Sequence, residues 1–453
     1  MEKRERLGSR LGFILLSAGC AIGCGNVWKF PWLTGQNGGG AFVLVYVIFL
    51  IILGIPVMTA EFAIGRAAQK SPIKMMTTLQ KKGQHWGFYG VLAFLANVLL
   101  MMFYTVVTGW FVNYIVGFIT GKYVGGTDEA VASKFGEMLS SPWQNVIYMV
   151  IVCVLGFFIC SFSLQGGLER VTKYLMIILF VLMIILAVRS CTLPGAREGL
   201  AFYLVPDFTK INWATVNAAM NQAFFTLSLG IGSMAIFGSY LNKERALMGE
   251  TINIIILDTF VALMAGVIIF PACSTYGIDA GAGPGLIFQT LPVVFNHMAG
   301  GRIWGTLFFI FMTFAAFSTV LAVFENILSM VRDFTGWGRD KGSVICGIAM
   351  IILSIPCALG FNVWSGFQPF APGSSFLDLW DFLVSNLALP IGSLLIVLFV
   401  TWRFGWGWDG FMEEANTGKG LRIRRWVKPY MQFVLPLIVL VVFVAGLLSF
   451  KFK

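Results

Sequence analysis

Eleven stretches of this chain are apolar over about twenty residues or more, and such runs leave few folds open. They cover roughly 11–33, 41–64, 87–119, 143–162, 171–190, 213–240, 251–276, 302–334, 343–361, 377–403 and 427–450. Each is long enough for one helical crossing of a bilayer. The runs are continuous rather than alternating, which excludes a transmembrane barrel. Of 453 residues, 58% are hydrophobic and 11% charged. Soluble domains carry about 25% charged residues. A soluble globule has no interior large enough for this apolar surface, and a disordered chain would not carry it. The sequence therefore predicts an all-α polytopic membrane protein with 11 transmembrane helices.

A net charge of +10 would point to nucleic acid in a soluble protein. Here the basic residues lie in loops between spans. The expected partner is the lipid bilayer, and no nucleic acid is expected. With the N-terminus in the cytoplasm, 22 of the 31 Lys and Arg fall on the inner side and 9 on the outer. That bias predicts N-inside, C-outside insertion in a cytoplasmic membrane. The basic start has no small-residue cleavage site near its first apolar run, so no cleaved signal peptide is expected. Cys20, Cys24, Cys153, Cys160, Cys346 and Cys357 lie within spans and read as free thiols. Cys191 and Cys273 lie near outer span ends, where a bridge stays open as an alternative.

Two spans resist a continuous helix. The first holds Gly19, Gly23, Gly25 and Asn26 at mid-membrane; the sixth reads Thr226-Leu227-Ser228-Leu229-Gly230-Ile231-Gly232-Ser233. Each Gly costs a helix about 1 kcal/mol relative to Ala. Gly19 and Gly23 form a GxxxG pair, which serves close helix packing. The other arrangement is unwound backbone, which survives at membrane depth only in a cavity or within protein. The two spans are five apart, so they hold corresponding places in an inverted 5+5 repeat with helices 1 and 6 broken at the midplane. Freed carbonyls can then bind a cation, and half-helix N-termini a carboxylate. The expected organisation is a cytoplasmic gate segment (1–10), repeat 1 (11–190), an extracellular connection (191–212), repeat 2 (213–403), a cytoplasmic loop (404–426), and helix 11 with an outer C-terminus (427–453).

Glu61, Asp258, Glu325 and Asp381 are acids within spans, each either hydrogen-bonded structure or function. The chain has two His, both near span ends, and no metal-ligand motif, so no enzyme is expected. It has no ring of charges for a channel. A transporter of another family with this fold, or an amino-acid receptor built on it, stays open at this point.

The run Ala21-Ile22-Gly23-Cys24-Gly25-Asn26-Val27-Trp28-Lys29-Phe30-Pro31, followed by Asn37-Gly38-Gly39-Gly40-Ala41-Phe42, resembles the first-helix signature of the neurotransmitter:sodium symporters. Gly54-Ile55-Pro56 with Glu61 and Gly65-Arg66 continues it, and Gln222 to Gly230 resembles the sixth-helix signature. The likeness runs through residues 7–430. It implies a sodium-coupled symporter that imports a neutral, hydrophobic amino acid by alternating access, with two sodium ions and no organic cofactor. One sodium site would use Ala21, Asn26, Thr226 and Asp258; the other would use Gly19, Ile22, Ala315, Ser318 and Thr319. Monoamine transporters of the family place an Asp at Gly23, so Gly there implies an amino-acid substrate. Its carboxylate would meet the amides around Cys24 and Gly25 and the Tyr104 hydroxyl, near Ala21. Its amine would meet Phe225, Thr226 and the Ser228 region. Leu100, Tyr104, Phe225, Ser228, Ile231, Thr319 and Val323 would form the side-chain pocket. Ile231 stands where a bacterial leucine transporter of the family has Phe, which implies a pocket wide enough for aromatic side chains. Lys29 and Asp381 would form the outer gate, and Arg4, Asp333 and Tyr240 the inner one. Chloride-dependent members are neutral where this chain has Asp258, so chloride independence is implied. Several relatives have Pro at the position of Ile177, where they unwind to wet the inner sodium site.

Overall fold

The computed structural model describes residues 5–278 and 285–449. Among them every regular element is a helix, and no strand forms beyond two isolated bridges. The membrane elements, in chain order, are α1 (Arg10–Ala21), α2 (Gly25–Gln36), α3 (Gly40–Ala68), α4 (Gly87–Thr120), α5 (Pro142–Ser161), α6 (Leu164–Cys191), α7 (Trp213–Thr226), α8 (Ser233–Gly238), α9 (Leu247–Thr275), α10 (Gly301–Thr335), α11 (Arg339–Leu359), α12 (Phe376–Thr401) and α13 (Val427–Leu448). Nine of these helices are long and apolar enough to cross a membrane, and α1 with α2, bent by 50°, makes a tenth. The sixth expected span divides into α7 and α8, and neither half reaches a crossing alone.

Besides a π-helical turn at Leu164–Glu169, five more form among the described residues: Gly25–Lys29, Leu50–Gly54, Leu286–Thr290 (in the helix Leu286–His297), Phe382–Ala388 and Tyr430–Val434, and the five share one feature. Each ends two residues before a proline: Pro31, Pro56, Pro292, Pro390 and Pro436. Proline supplies no N–H and its ring presses on the preceding turn, so the widened turn absorbs the misfit without a full break. In α12 the widened turn sets the register of everything that follows Asp381.

The long helices α4 and α10 form the centre, joined by aromatic pairs such as Phe111–Phe309 and Phe118–Phe309. The faces of α5, α6, α11 and α13 that point away are lined by exposed Ile, Val, Leu and Phe, as lipid contact requires. Cys191 and Cys273 are both free thiols, so the open alternative of a bridge between them falls away. Ile177 lies exposed on an unbroken stretch of α6; the irregular turn of this helix is at Leu164–Glu169 instead.

Candidate functional site

Both breaks face one another at the centre of the bundle. α1 stops at Ala21 because Ile22 is extended (φ −71°, ψ 101°). The chain then turns into α2, where Asn26 closes the new helix by accepting the Gly23 N–H through Oδ1 at 3.0 Å. The Cys24 N–H donates to Tyr104 Oη at 2.7 Å. In the second break Ser228 (φ 50°), Gly230 (φ 90°) and Gly232 (φ 75°) are left-handed, a run that no helix accommodates. Glu61 holds it: its two carboxylate oxygens accept the N–H groups of Gly230 at 2.5 Å and Met234 at 3.2 Å. The exposed carbonyls are met from α4, Gly230 by Tyr89 Oη at 2.9 Å and Ile231 by Asn97 Nδ2 at 2.8 Å.

Between the breaks lies a small, nearly closed cavity, lined by Cys20, Ala21, Gly25, Leu100, Tyr104, Phe225, Ser228, Ile231, Thr319 and Leu389. No charged side chain lines it. Eight of these ten were expected from sequence. Gly23, Cys24 and Thr226 stand behind the wall. A Cβ at Gly23 would collide with Tyr104 Oη and Thr319 Oγ1, so only Gly fits between them. Val323 is buried about one helical turn beyond Thr319 along α10 and is not among the lining residues. Cys20 and Leu389 are the additions. Leu389 follows the π turn of α12, and straight-helix spacing gives no sign that it points inward.

Two groups of hard oxygens border the cavity. Asn26 Nδ2 donates to Asp258 Oδ1 at 2.8 Å, and Thr226 Oγ1 donates to the same carboxylate at 3.2 Å. On the other side, Ser318 Oγ lies 2.8 Å from the Ala315 carbonyl and 3.2 Å from that of Ile22. Thr319 Oγ1 is 3.3 Å from the Gly19 carbonyl, 3.2 Å from Cys20 and 3.3 Å from Ile22. Oxygen sets of this kind suit small hard cations, and the second carries no acid, which suits a single charge.

The cavity is closed at both ends. At one end, Lys29 Nζ reaches Asp381 at 3.0 Å and Ser385 at 3.2 Å, and lies 4.2 Å from the Phe225 ring centre. At the other, where the N-terminal segment packs, Tyr240 Oη donates to the buried Glu325 at 2.7 Å, and Arg339 joins Glu325 at 2.7 Å to Glu5 at 3.0 Å. Asp333 accepts the Ser71 N–H at 2.7 Å. Arg4, the expected partner of Asp333, lies outside the described residues. The sequence reading missed Glu5, Arg332 and Arg339 in this lock. Burial pushes the Glu5 carboxyl up, but the Arg339 charge, the Leu164 N–H and bonds from Arg339 and Arg332 more than offset that and hold it below the ordinary 4.5.

The model of the sodium:neurotransmitter symporter family matches residues 4–125 and 131–453. The chain belongs to this family. It is 34% identical to a sodium-dependent transporter of Haemophilus influenzae, over 98% of this chain and 99% of that one. It is equally 34% identical to the sodium-dependent transporter YhdH of Bacillus subtilis, over 99% of each. A solved structure, MhsT in complex with L-phenylalanine, superposes with a TM-score of 0.89 at 36% identity, covering 98% of this chain and all of that one. The protein is thus an integral membrane, sodium-dependent symporter, and its relatives are transporters, not enzymes.

Two outcomes follow from this geometry. Gly23→Ala adds a methyl where Tyr104 and Thr319 leave no room, at a cost of about 1–3 kcal/mol. Thermal unfolding of the purified symporter will read the loss. Glu5 contributes stability above pH 4.5 that is lost as pH falls through its lowered value. Unfolding temperatures of wild type and Glu5→Gln are expected to differ at neutral pH and to converge in acid below that value. A gap that persists there would place the effect elsewhere.

Proposed function

We propose that the symporter imports a neutral, hydrophobic L-amino acid, aliphatic or aromatic, together with two sodium ions, across the cytoplasmic membrane of a prokaryote. The observation that carries this reading is the cavity where the two breaks meet: apolar side chains around it, no charged one, and backbone polar groups at one end. An amino acid carboxylate would take up the Cys24 N–H and Tyr104 Oη, which now satisfy each other. The amine would meet the carbonyls of Phe225 and Thr226 and the Ser228 region. The binding of L-phenylalanine by the similar MhsT supports an aromatic side chain between Leu100, Ile231 and Leu389.

One sodium ion would rest on Ala21, Asn26, Thr226 and Asp258, and the other on Gly19, Ile22, Ala315, Ser318 and Thr319. Each ion supplies about 2.3 kcal/mol per 100 mV of membrane potential, besides its concentration gradient. The reading includes eleven spans in an inverted 5+5 repeat, with α7 and α8 together as the sixth and the N-terminus inside. Lys29–Asp381 would part to admit substrate, and the Glu5–Arg339–Glu325 lock with Asp333 and Tyr240 would part to release it. Transport would be chloride-independent: Asp258 already brings a negative charge beside Tyr46, Gln222 and Thr226.

Thermal unfolding against all twenty amino acids, each in sodium and in potassium chloride, tests the substrate class, because a ligand stabilises the state it binds. Stabilisation by Leu, Phe, Tyr or Trp in sodium alone is expected, with Ser318→Ala weakening the sodium requirement. No shift with any amino acid would overturn the class. For chloride, uptake in gluconate is expected to match that in chloride, and Asp258→Asn to become chloride-dependent. A several-fold fall of wild-type uptake in gluconate would reject this.

A further inference from the structure

The loop before α13 carries an unusual concentration of charge. Residues Lys419 to Lys428 hold five basic side chains and no acidic one. Several basic residues elsewhere on this face find acids: Arg10 meets Glu250, Arg66 and Lys243 meet Glu414, and Arg332 and Arg339 meet Glu5. Arg422, Arg424, Arg425 and Lys428 are exposed, and none makes an ion pair among the described residues.

The segment is held in one shape. Asn416 clasps Ile423 from both sides, Nδ2 donating to its carbonyl at 3.0 Å and Oδ1 accepting its N–H at 2.7 Å. Ile423 is buried and its neighbours Arg422 and Arg424 are exposed. Trp426 is 73% exposed and Leu421 58% exposed on the same loop. The span α13 begins at Val427, so the patch lies where hydrocarbon gives way to headgroups. Tryptophan favours that level, and clustered Lys and Arg beside a span attract acidic lipid.

We propose that this loop docks the phosphate headgroups of anionic phospholipids, and that lipid held there braces the segment following α8. The connection is short. The Lys419 N–H donates to the Glu244 carbonyl at 2.8 Å, and the Ala246 N–H donates to the Lys419 carbonyl at 3.0 Å. Arg66 ties the same two segments, reaching Glu414 at 2.6 Å and the Arg245 carbonyl at 2.7 Å. Residues 239–246 follow directly from the inner half of the broken sixth span. Lipid on the basic loop therefore acts on the backbone next to the inner lock. Free phosphate has no acyl chains to occupy the surface beside Trp426 and Leu421, so the lipid is the fitting source of the anion.

Hydrogen exchange on the full-length protein in nanodiscs tests this, and it needs no knowledge of the substrate. The comparison is phosphatidylcholine alone against phosphatidylcholine with phosphatidylglycerol. With phosphatidylglycerol, exchange at the Lys419 and Ala246 amides is expected to slow by about fivefold. The slowing should vanish in the triple variant R422Q/R424Q/R425Q, and in wild type at high salt. Equal exchange in both lipids overturns the proposal. So does slowing that survives in the triple variant or in high salt, or slowing that inorganic phosphate alone reproduces in phosphatidylcholine.

Discussion

Everything at the centre of this molecule answers one constraint: a backbone that leaves the helix inside a membrane must have every N–H and C=O met by protein or ligand. Glu61 is the plainest case. A buried carboxylate is costly, yet here each of its oxygens accepts a backbone N–H from the second break. Tyr89 and Asn97 answer the carbonyls of the same stretch. The first break is met differently. Its amides are taken by Asn26 and Tyr104, and its carbonyls by the hydroxyls of Ser318 and Thr319. The partners of the second break lie in rigid neighbours and have no role to vacate. Several partners of the first are side-chain hydroxyls, which a carboxylate or a cation can replace without leaving an amide or a carbonyl unmet.

The closures at the two ends differ in weight. The Lys29–Asp381 pair is part-exposed, and ion pairs in that setting contribute at most about 1 kcal/mol. The inner lock contains a buried acid: Glu325 is fully enclosed, and both its oxygens are held by Arg339. Separating those two would leave a charge in a dry site, which costs several kcal/mol unless water follows. Parting the Lys29–Asp381 pair therefore needs only a local separation, while parting Arg339 from Glu325 needs water to enter.

The broad architecture was legible because membrane spans are written in long apolar runs, which periodic packing does not disguise. The breaks were legible because glycine and asparagine at that depth contradict a helix. Leu389 was not, since a π turn in α12 changes the face on which it emerges, and that turn precedes Pro390, nine residues beyond Asp381. Val323 differs in the opposite sense: it lies one regular helical turn beyond Thr319 and is not among the lining residues. The inner lock was misread for a third reason. Arg332 and Arg339 were counted as loop charges that orient the chain, and nothing in the sequence says that one of them bonds an acid fourteen residues earlier.

The proline-linked π turns bring these threads together. A proline within a span would ordinarily force a kink and leave a carbonyl exposed. Here the extra residue in the preceding turn takes up the strain, and the helix continues with its register shifted. In α2 the shift falls on the residues between Gly25 and Lys29, so one irregularity sets both a cavity wall and one member of the Lys29–Asp381 pair. In α12 it falls between Asp381 and Leu389, and again joins the ion pair to the cavity wall. Ser385, inside that turn, donates to Asp381 at 2.6 Å and accepts from Lys29. One short π turn thus links each member of the ion pair to the cavity wall: Gly25–Lys29 ties Gly25 to Lys29, and Phe382–Ala388 ties Asp381 to Leu389, so the spacing between the pair and the cavity is set within a single turn on each side.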